Sequence, residues 1–138
     1  MFEQVGSTWG MAVAHRDLAE DARGARNWAS AGAHARASLT MSQQVRQPMM
    51  RTRGFLNGLA ELARLSAARG QPERAARLWG AACALRREAG ERLEARERAE
   101  FDAEAAGARA TLEGHLSVWP EGEAMNLEQA LAYALEDG

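Results

Sequence analysis

Apolar side chains return at three- and four-residue intervals along most of this chain, the spacing of helices that each bury one stripe. From Trp9 to about Arg23 the stripe is Met11, Ala14, Leu18 and Ala22, and Gly24 breaks the run. Residues 1–8 read as a lead-in or as the end of an earlier helix. A second helix, about Asn27–Gln44, packs Trp28, Ala31, Ala35, Leu39 and Met41. Gln47–Pro48 marks a turn, because proline pushes its predecessor out of the α region. A third helix, about Met49–Arg69, turns Phe55, Leu59, Leu62, Ala63 and Ser66 inward and Arg51, Glu61, Arg64 and Arg69 outward. Gly70 suits a left-handed cap. Pro72 fits the first turn of the next helix, and Glu73 complements its positive end. That fourth helix packs Ala75, Leu78, Trp79, Ala82 and Leu85 and stops at Gly90.

The pattern changes in the last third. About Glu94–Leu112 is a highly charged helix with a narrow seam at Phe101, Ala105, Ala108 and Leu112. A short amphipathic piece holding Leu116, Val118 and Trp119 ends at Pro120. Asn126 caps a last helix, Leu127–Leu135, with Leu127, Ala130, Leu131, Ala134 and Leu135 apolar.

The first two helices align with the next two at an offset of 44 residues, which sets Gly10 on Gly54, Leu18 on Leu62, Ala19 on Ala63, Ala31 on Ala75 and Met41 on Leu85. Self-similarity at such a period signals stacked helical pairs. Large residues fall where two helices meet and small ones where backbones come close. The second pair resembles a tetratricopeptide-type repeat. The first is a degenerate copy, with Arg26 at the turn position and Ala35 where the second has Trp79. The expected architecture is all-α: one domain over residues 1–138, a degenerate hairpin (9–45), a tetratricopeptide-like hairpin (49–90), and acidic helices (91–138) that cap the short solenoid.

The stretch Gly70 to Arg86, GQPERAARLWGAACALR, resembles the last repeats of large bacterial signalling ATPases and of LuxR-type or cyclase-linked transcriptional regulators. The resemblance covers roughly residues 50–138 well and 9–45 poorly. In that family an acidic helix and a short final helix, similar to Asn126–Leu135, close the repeats. The chain has no GxxxxGK[ST] loop, no lysine to build one, and no helix-turn-helix reader. The resemblance therefore implies the family's sensory or partner-contact end, without its ATPase and DNA-binding parts.

Composition narrows the chemistry. Alanine is about a fifth of the 138 residues, and isoleucine and lysine are absent, which favours helix over sheet. The net charge of −2 conceals an asymmetry: residues 1–90 hold 13 arginines against 7 acidic residues, and residues 91–138 hold 4 against 12. A basic half attracts nucleic acid, which makes a nucleic-acid-binding module the alternative reading. Pairing with the acidic half satisfies the same arginines within the molecule. A lone Cys83, no membrane-length apolar run and no basic leader suit a soluble chain in a reducing cytoplasm.

No catalytic, cofactor or metal constellation emerges. His15, His34 and His115 lack ligand spacing, His15 aligning with the packing residue Leu59 and the other two reading as surface residues. Cys83 aligns with Leu39 and reads as a small hydrophobe. Glu94, Glu97, Asp102 and Glu104, mixed with Arg92, Arg96, Arg98 and Arg109, read as i,i+4 pairs on a solvated helix. Trp79 reads as core, Trp9 and Trp28 as plugs at the hairpin interface or its upstream end, and Trp119 as the anchor of the tail. In repeats of this type the first helix of each hairpin lines the concave face, which turns Arg16, Arg23, Asn57 and Arg64 toward a groove. Three arginines and an amide suit an acidic peptide or a carboxylate terminus. The expected function is a non-enzymatic protein-interaction scaffold. If Met1 is the true start, the uncovered side of the first hairpin also favours a homodimer.

Overall fold

The computed structural model describes residues 2–136, with side chains from Thr8 onward. Seven α-helices account for most of the described residues, and no strand occurs among them: α1 (Phe2–Gly24), α2 (Trp28–Ser42), α3 (Pro48–Ala68), α4 (Pro72–Ala89), α5 (Ala95–Thr111), α6 (Trp119–Glu123) and α7 (Leu127–Leu135). Two 3-10 turns, Gly90–Arg92 and Glu113–Val118, flank α5. Among the described residues no helix is long and apolar enough to cross a membrane.

α1 pairs with α2 and α3 with α4, and α2 and α1 both lie against α3. α3 is therefore the central rod. From Gly54 to Ser66 every residue is buried except Asn57 and Arg64. Close approach of α2 to α3 depends on two glycines. A Cβ at Gly54 would overlap the Ser42 side chain, and one at Gly58 would sit 2.5 Å from Leu39 Cδ2. The same device joins α6 to α4, where Gly80 faces the Trp119 carbonyl and Gly122 faces that of Arg77. Trp79 and Trp119 are each 2% exposed, and they share one cluster with Leu39, Leu59, Leu62 and Leu78.

The turns follow the expected chemistry. Gly70 and Gly90 take positive φ, Pro72 opens α4, and Asn126 caps α7 by accepting from the Gln129 backbone N–H at 2.8 Å. At the α1–α2 turn the backbone conformation repeats without the glycine. Arg26, which aligns with Gly70, adopts φ 61° and carries the strain of a left-handed side-chain residue.

Several expectations are corrected. α1 extends back to Phe2, so positions 2–8 are neither a lead-in nor the end of an earlier helix, while its end at Gly24 is where the sequence put it. Its packing face is turned by one residue. Met11, Ala14 and Leu18 are exposed, while Ala12 and Ala19 are buried. The interface with α2 is built on small residues, and Ser38 Oγ donates to the Ala12 carbonyl at 2.7 Å. Bulkier Met and Leu do not fit such a close seam. Trp9 and Trp28 are half-buried, and Trp28 packs on the core cluster. Glu61 is buried, not outward. The segment at Pro120 does not end there. Proline occupies the first turn of α6, where its missing N–H costs no hydrogen bond. Leu127 is 39% exposed, because α7 seats itself through Ala130, Leu131 and Ala134.

The charge asymmetry resolves between helices. Arg53–Glu97 (2.8 Å), Arg64–Glu104, Arg86–Asp102 (2.8 Å), Arg77–Glu121 (3.0 Å) and Arg87–Glu123 (2.9 Å) all join α3 or α4 to the acidic third of the chain. Glu97, Asp102 and Glu104 thus pair across helices and not along α5 as expected, and the i,i+4 contact formed on α5 is Arg96–Glu100, whose carboxylate was not in the expected set. Arg92 and Arg98 instead donate to backbone carbonyls, and Arg109 stacks 5.0 Å from the Trp119 ring. Arg74 holds the end of α7 by donating to the carbonyls of Tyr133, Ala134 and Glu136, where a cation complements the helix dipole.

Candidate partner-binding cavity

The two unburied positions in the middle of α3, Asn57 and Arg64, are seven residues apart, two helical turns along one face. On α1, Arg16, Glu20 and Arg23 share a face for the same reason. The two faces meet across a cavity of about 570 Å³ lined by Arg16, Glu20, Arg23, Asn57, Glu61, Arg64 and Glu104. The structure thus brings together the four residues assigned to a groove from sequence. It also adds three carboxylates.

Those carboxylates change the electrostatics. Glu61 is 1% exposed. It accepts from Arg23 Nε at 2.7 Å and from Arg64 Nη1 at 3.3 Å. Arg64 also donates through Nε and Nη2 to both oxygens of Glu104. Burial opposes the Arg64 charge, but the hydrogen bond and field of Glu104, with those of Glu61, outweigh it and raise its pKa. The cavity lining is formally neutral, three arginines against three glutamates, so it is not a free cationic clamp. Arg23 and Arg64 are fixed in place by buried charge. Among the described residues Arg16 meets only the neighbouring Asp17, at 3.4 Å, and it keeps a side chain 32% exposed. The groups that remain open to a ligand are therefore Arg16, Glu20 and Asn57, backed by two immobilised guanidiniums.

Glu61, Glu20 and Glu104 were absent from the sequence-derived set. Glu61 had a readable signal, since it lies four residues after Asn57 and three before Arg64 and shares their face. Glu104 had none, because only the docking of α5 brings it to α3. The Arg64–Glu104 pair also forms one wall of a second, more apolar cavity of about 470 Å³, lined by Ala67, Trp79, Gly107, Ala108, Thr111 and Leu112.

The other chemically versatile side chains lie elsewhere. His15 and His34 face each other across α1 and α2 with Nδ1 atoms 2.9 Å apart. Their ring centroids are 5.1 Å apart, so the two nitrogens point at one another, one donating and one accepting. This corrects the surface assignment of His34, whose ring is half-buried. His115 is exposed and distant from both in sequence. Among the described residues no three histidine, cysteine or acidic side chains are grouped to hold a metal ion. The Cys83 thiol is pushed up to about 11, mainly by burial, with the Arg87 charge opposing. It remains a protonated thiol at neutral pH.

No family model, curated protein or solved structure matches the chain.

Proposed function

We propose that this chain is a non-enzymatic protein-interaction scaffold: a short tetratricopeptide-like solenoid whose concave side is the α1–α3 cavity and whose closing unit is α5–α7. The observation that carries the reading is the convergence of Arg16, Arg23, Asn57 and Arg64 on one cavity, with two guanidiniums held rigid by a buried carboxylate. Preorganised donors lower the entropic cost of capturing a carboxylate. The partner is an acidic peptide or a carboxylate terminus, met in the cytoplasm. The role is that of the contact end of a bacterial transcriptional regulator.

The nucleic-acid alternative finds less support. Arg53, Arg64, Arg77, Arg86 and Arg87 are each paired with acidic residues of the same chain, leaving fewer cations to release counterions from phosphate. The exposed stripe Met11, Ala14 and Leu18 supports self-association through α1 as a second contact mode.

Fluorescence anisotropy with labelled acidic peptides, each carrying a free or an amidated C-terminus, tests the reading, with duplex DNA titrated beside them at low salt. The expected result is peptide binding that weakens about tenfold in Arg16→Ala and in Asn57→Ala, the loss of one charge-assisted contact. Peptide affinity that ignores both substitutions, or tighter binding to DNA than to every peptide, overturns it.

A further inference from the structure

α5 sits differently from its neighbours. Over 17 residues only Ala105 is buried, and it keeps 8% exposure. Its seat combines three arginines with a narrow apolar seam of Phe101, Ala105 and Ala108. Arg53 and Arg64 of α3 and Arg86 of α4 receive Glu97, Glu104 and Asp102, and between them Phe101 meets Trp79 edge-on, with centroids 5.9 Å apart. The accepting carboxylates are themselves largely open, 35% exposed at Glu97, 42% at Glu104 and 58% at Asp102. Ion pairs that exposed contribute little each and are screened by salt. A helix with so little buried apolar surface belongs to the least stable part of a fold.

Its fit is also incomplete in two independent places. Arg53 is gripped at both ends of its fork, Nε at 2.8 Å and Nη2 at 2.9 Å from the two Glu97 oxygens, and Arg64 is gripped the same way by Glu104. Arg86 has only the shorter Asp102, which reaches Nη2 and leaves Nε buried without a hydrogen-bond partner. Farther along α5, Gly107 and Ala108 leave open the 470 Å³ cavity floored by Trp79 and Leu112, and a Cβ at Gly107 would meet nothing within 4 Å. An occupant with one more methylene at the first place and a larger apolar side chain at the second would complete both.

We propose that the face formed by Arg53, Arg64, Trp79 and Arg86 is a docking surface for an acidic amphipathic helix of a partner protein, and that α5 is its resident occupant, displaced when the partner binds. The partner helix carries glutamate, phenylalanine, glutamate and glutamate at the positions of Glu97, Phe101, Asp102 and Glu104, and a large aliphatic residue at that of Ala108. The inference rests on the scaffold reading for the idea that this chain receives partners, and shares with the cavity assigned to them Arg64 and its counter-charge Glu104, which leaves with α5.

The probe is a labelled synthetic peptide of residues 94–112, made in its own sequence and with the changes Asp102→Glu and Ala108→Leu. Both are titrated into the full chain by anisotropy at low and high salt, with hydrogen exchange followed in α5. The altered peptide should bind about tenfold tighter than the native one, as one added charge-assisted hydrogen bond warrants. Salt should weaken both, and α5 amides alone should lose protection while α4 and α6 keep theirs. Arg53→Gln with Arg86→Gln should abolish the binding. Should that double variant fail to fold, Asp102→Glu in the chain itself gives the same information: it should slow exchange in α5 and lower peptide affinity. Failure of a folded chain to bind either peptide, binding without release of α5, or unchanged exchange in Asp102→Glu overturns the proposal. Acidic peptides that respond to Arg16→Ala and Asn57→Ala but ignore Arg53 and Arg86 would leave the cavity reading standing and remove this one.

Discussion

Replacing Gly122 by alanine sets local and tertiary preferences directly against each other. Alanine is favoured over glycine within a helix by about 1 kcal/mol, so local propensity alone predicts a stabilised α6. The α4–α6 contact predicts the reverse. The new Cβ would overlap the Arg77 carbonyl oxygen and lie 2.8 Å from its carbon and 3.0 Å from the Ala81 nitrogen. Carbon atoms pack best near 3.5–4.0 Å, so α6 must retreat by about 1 Å. All of these neighbours are backbone of α4, and none can swing aside as a flexible side chain would. Overpacking of this kind costs about 1–3 kcal/mol. The alternative, undocking α6, exposes Trp119 and Val118, and losing a buried tryptophan costs about 3–5 kcal/mol. The chain takes the cheaper route; with only backbone to yield, the cost lies near the upper end, about 3 kcal/mol, and less the propensity gain of about 1 kcal/mol the expected net loss is about 2 kcal/mol. At this chain length that lowers Tm by about 8 °C. Circular dichroism melts of Gly122→Ala and of Gly107→Ala measure it, the latter being a helical glycine whose added Cβ meets open space. Gly107→Ala should melt at or above the parent. A Gly122→Ala protein as stable as Gly107→Ala would refute the close approach of α4 and α6.

Three further outcomes are expected. Both Arg26→Gly and Arg26→Ala lose the stack on Trp28, but only glycine also relieves the left-handed strain of about 1–2 kcal/mol, so Arg26→Gly should stabilise the chain by about 0.5 kcal/mol or more in urea titrations and Arg26→Ala should destabilise it. The Arg53 hydrogen bond, against the effect of burial, holds the Glu97 carboxyl below its ordinary value near 4.5. Its folded pKa is thus lower than its unfolded one, so its contribution is complete above that ordinary value and disappears as the pH falls through the depressed one. Glu97→Gln should accordingly flatten the fall of Tm on acidification in that range. With its thiol raised from 9.0 to about 11, Cys83 should react with iodoacetamide about a hundredfold more slowly than free cysteine at pH 8, and a rate equal to that of free cysteine would contradict its burial.

Most helix limits were legible along the chain because they depend on neighbours in sequence. Gly70, Pro72, Gly90 and Asn126 act through backbone conformation and the nearest turn, and each sits where local chemistry puts it. The inward sides of α3 and α4 were legible too, since leucine, phenylalanine and tryptophan at helical spacing leave little choice of face. α1 was not, because its alanines lie on the buried and the exposed face alike, Ala12 and Ala19 on one and Ala14 on the other. Small residues form the closest seams, yet their hydrophobic signal is weak, and Met11 and Leu18 gave a false stripe.

The site divides in the same way. Helical spacing alone puts Arg16 beside Arg23 and Asn57 beside Arg64. What made these two pairs into one cavity was the crossing of α1 over α3, a contact between residues some forty positions apart. The burial of Glu61 and the capture of Arg64 by Glu104 likewise needed the assembled molecule, since a charge is accepted inside only where tertiary packing supplies its counter-charges. Periodicity and turn chemistry determined the rods and their ends. Which side of each rod met another, and which charges found one another, was decided by long-range packing, because neither the closeness of two backbones nor the distance between two remote side chains is encoded in local spacing.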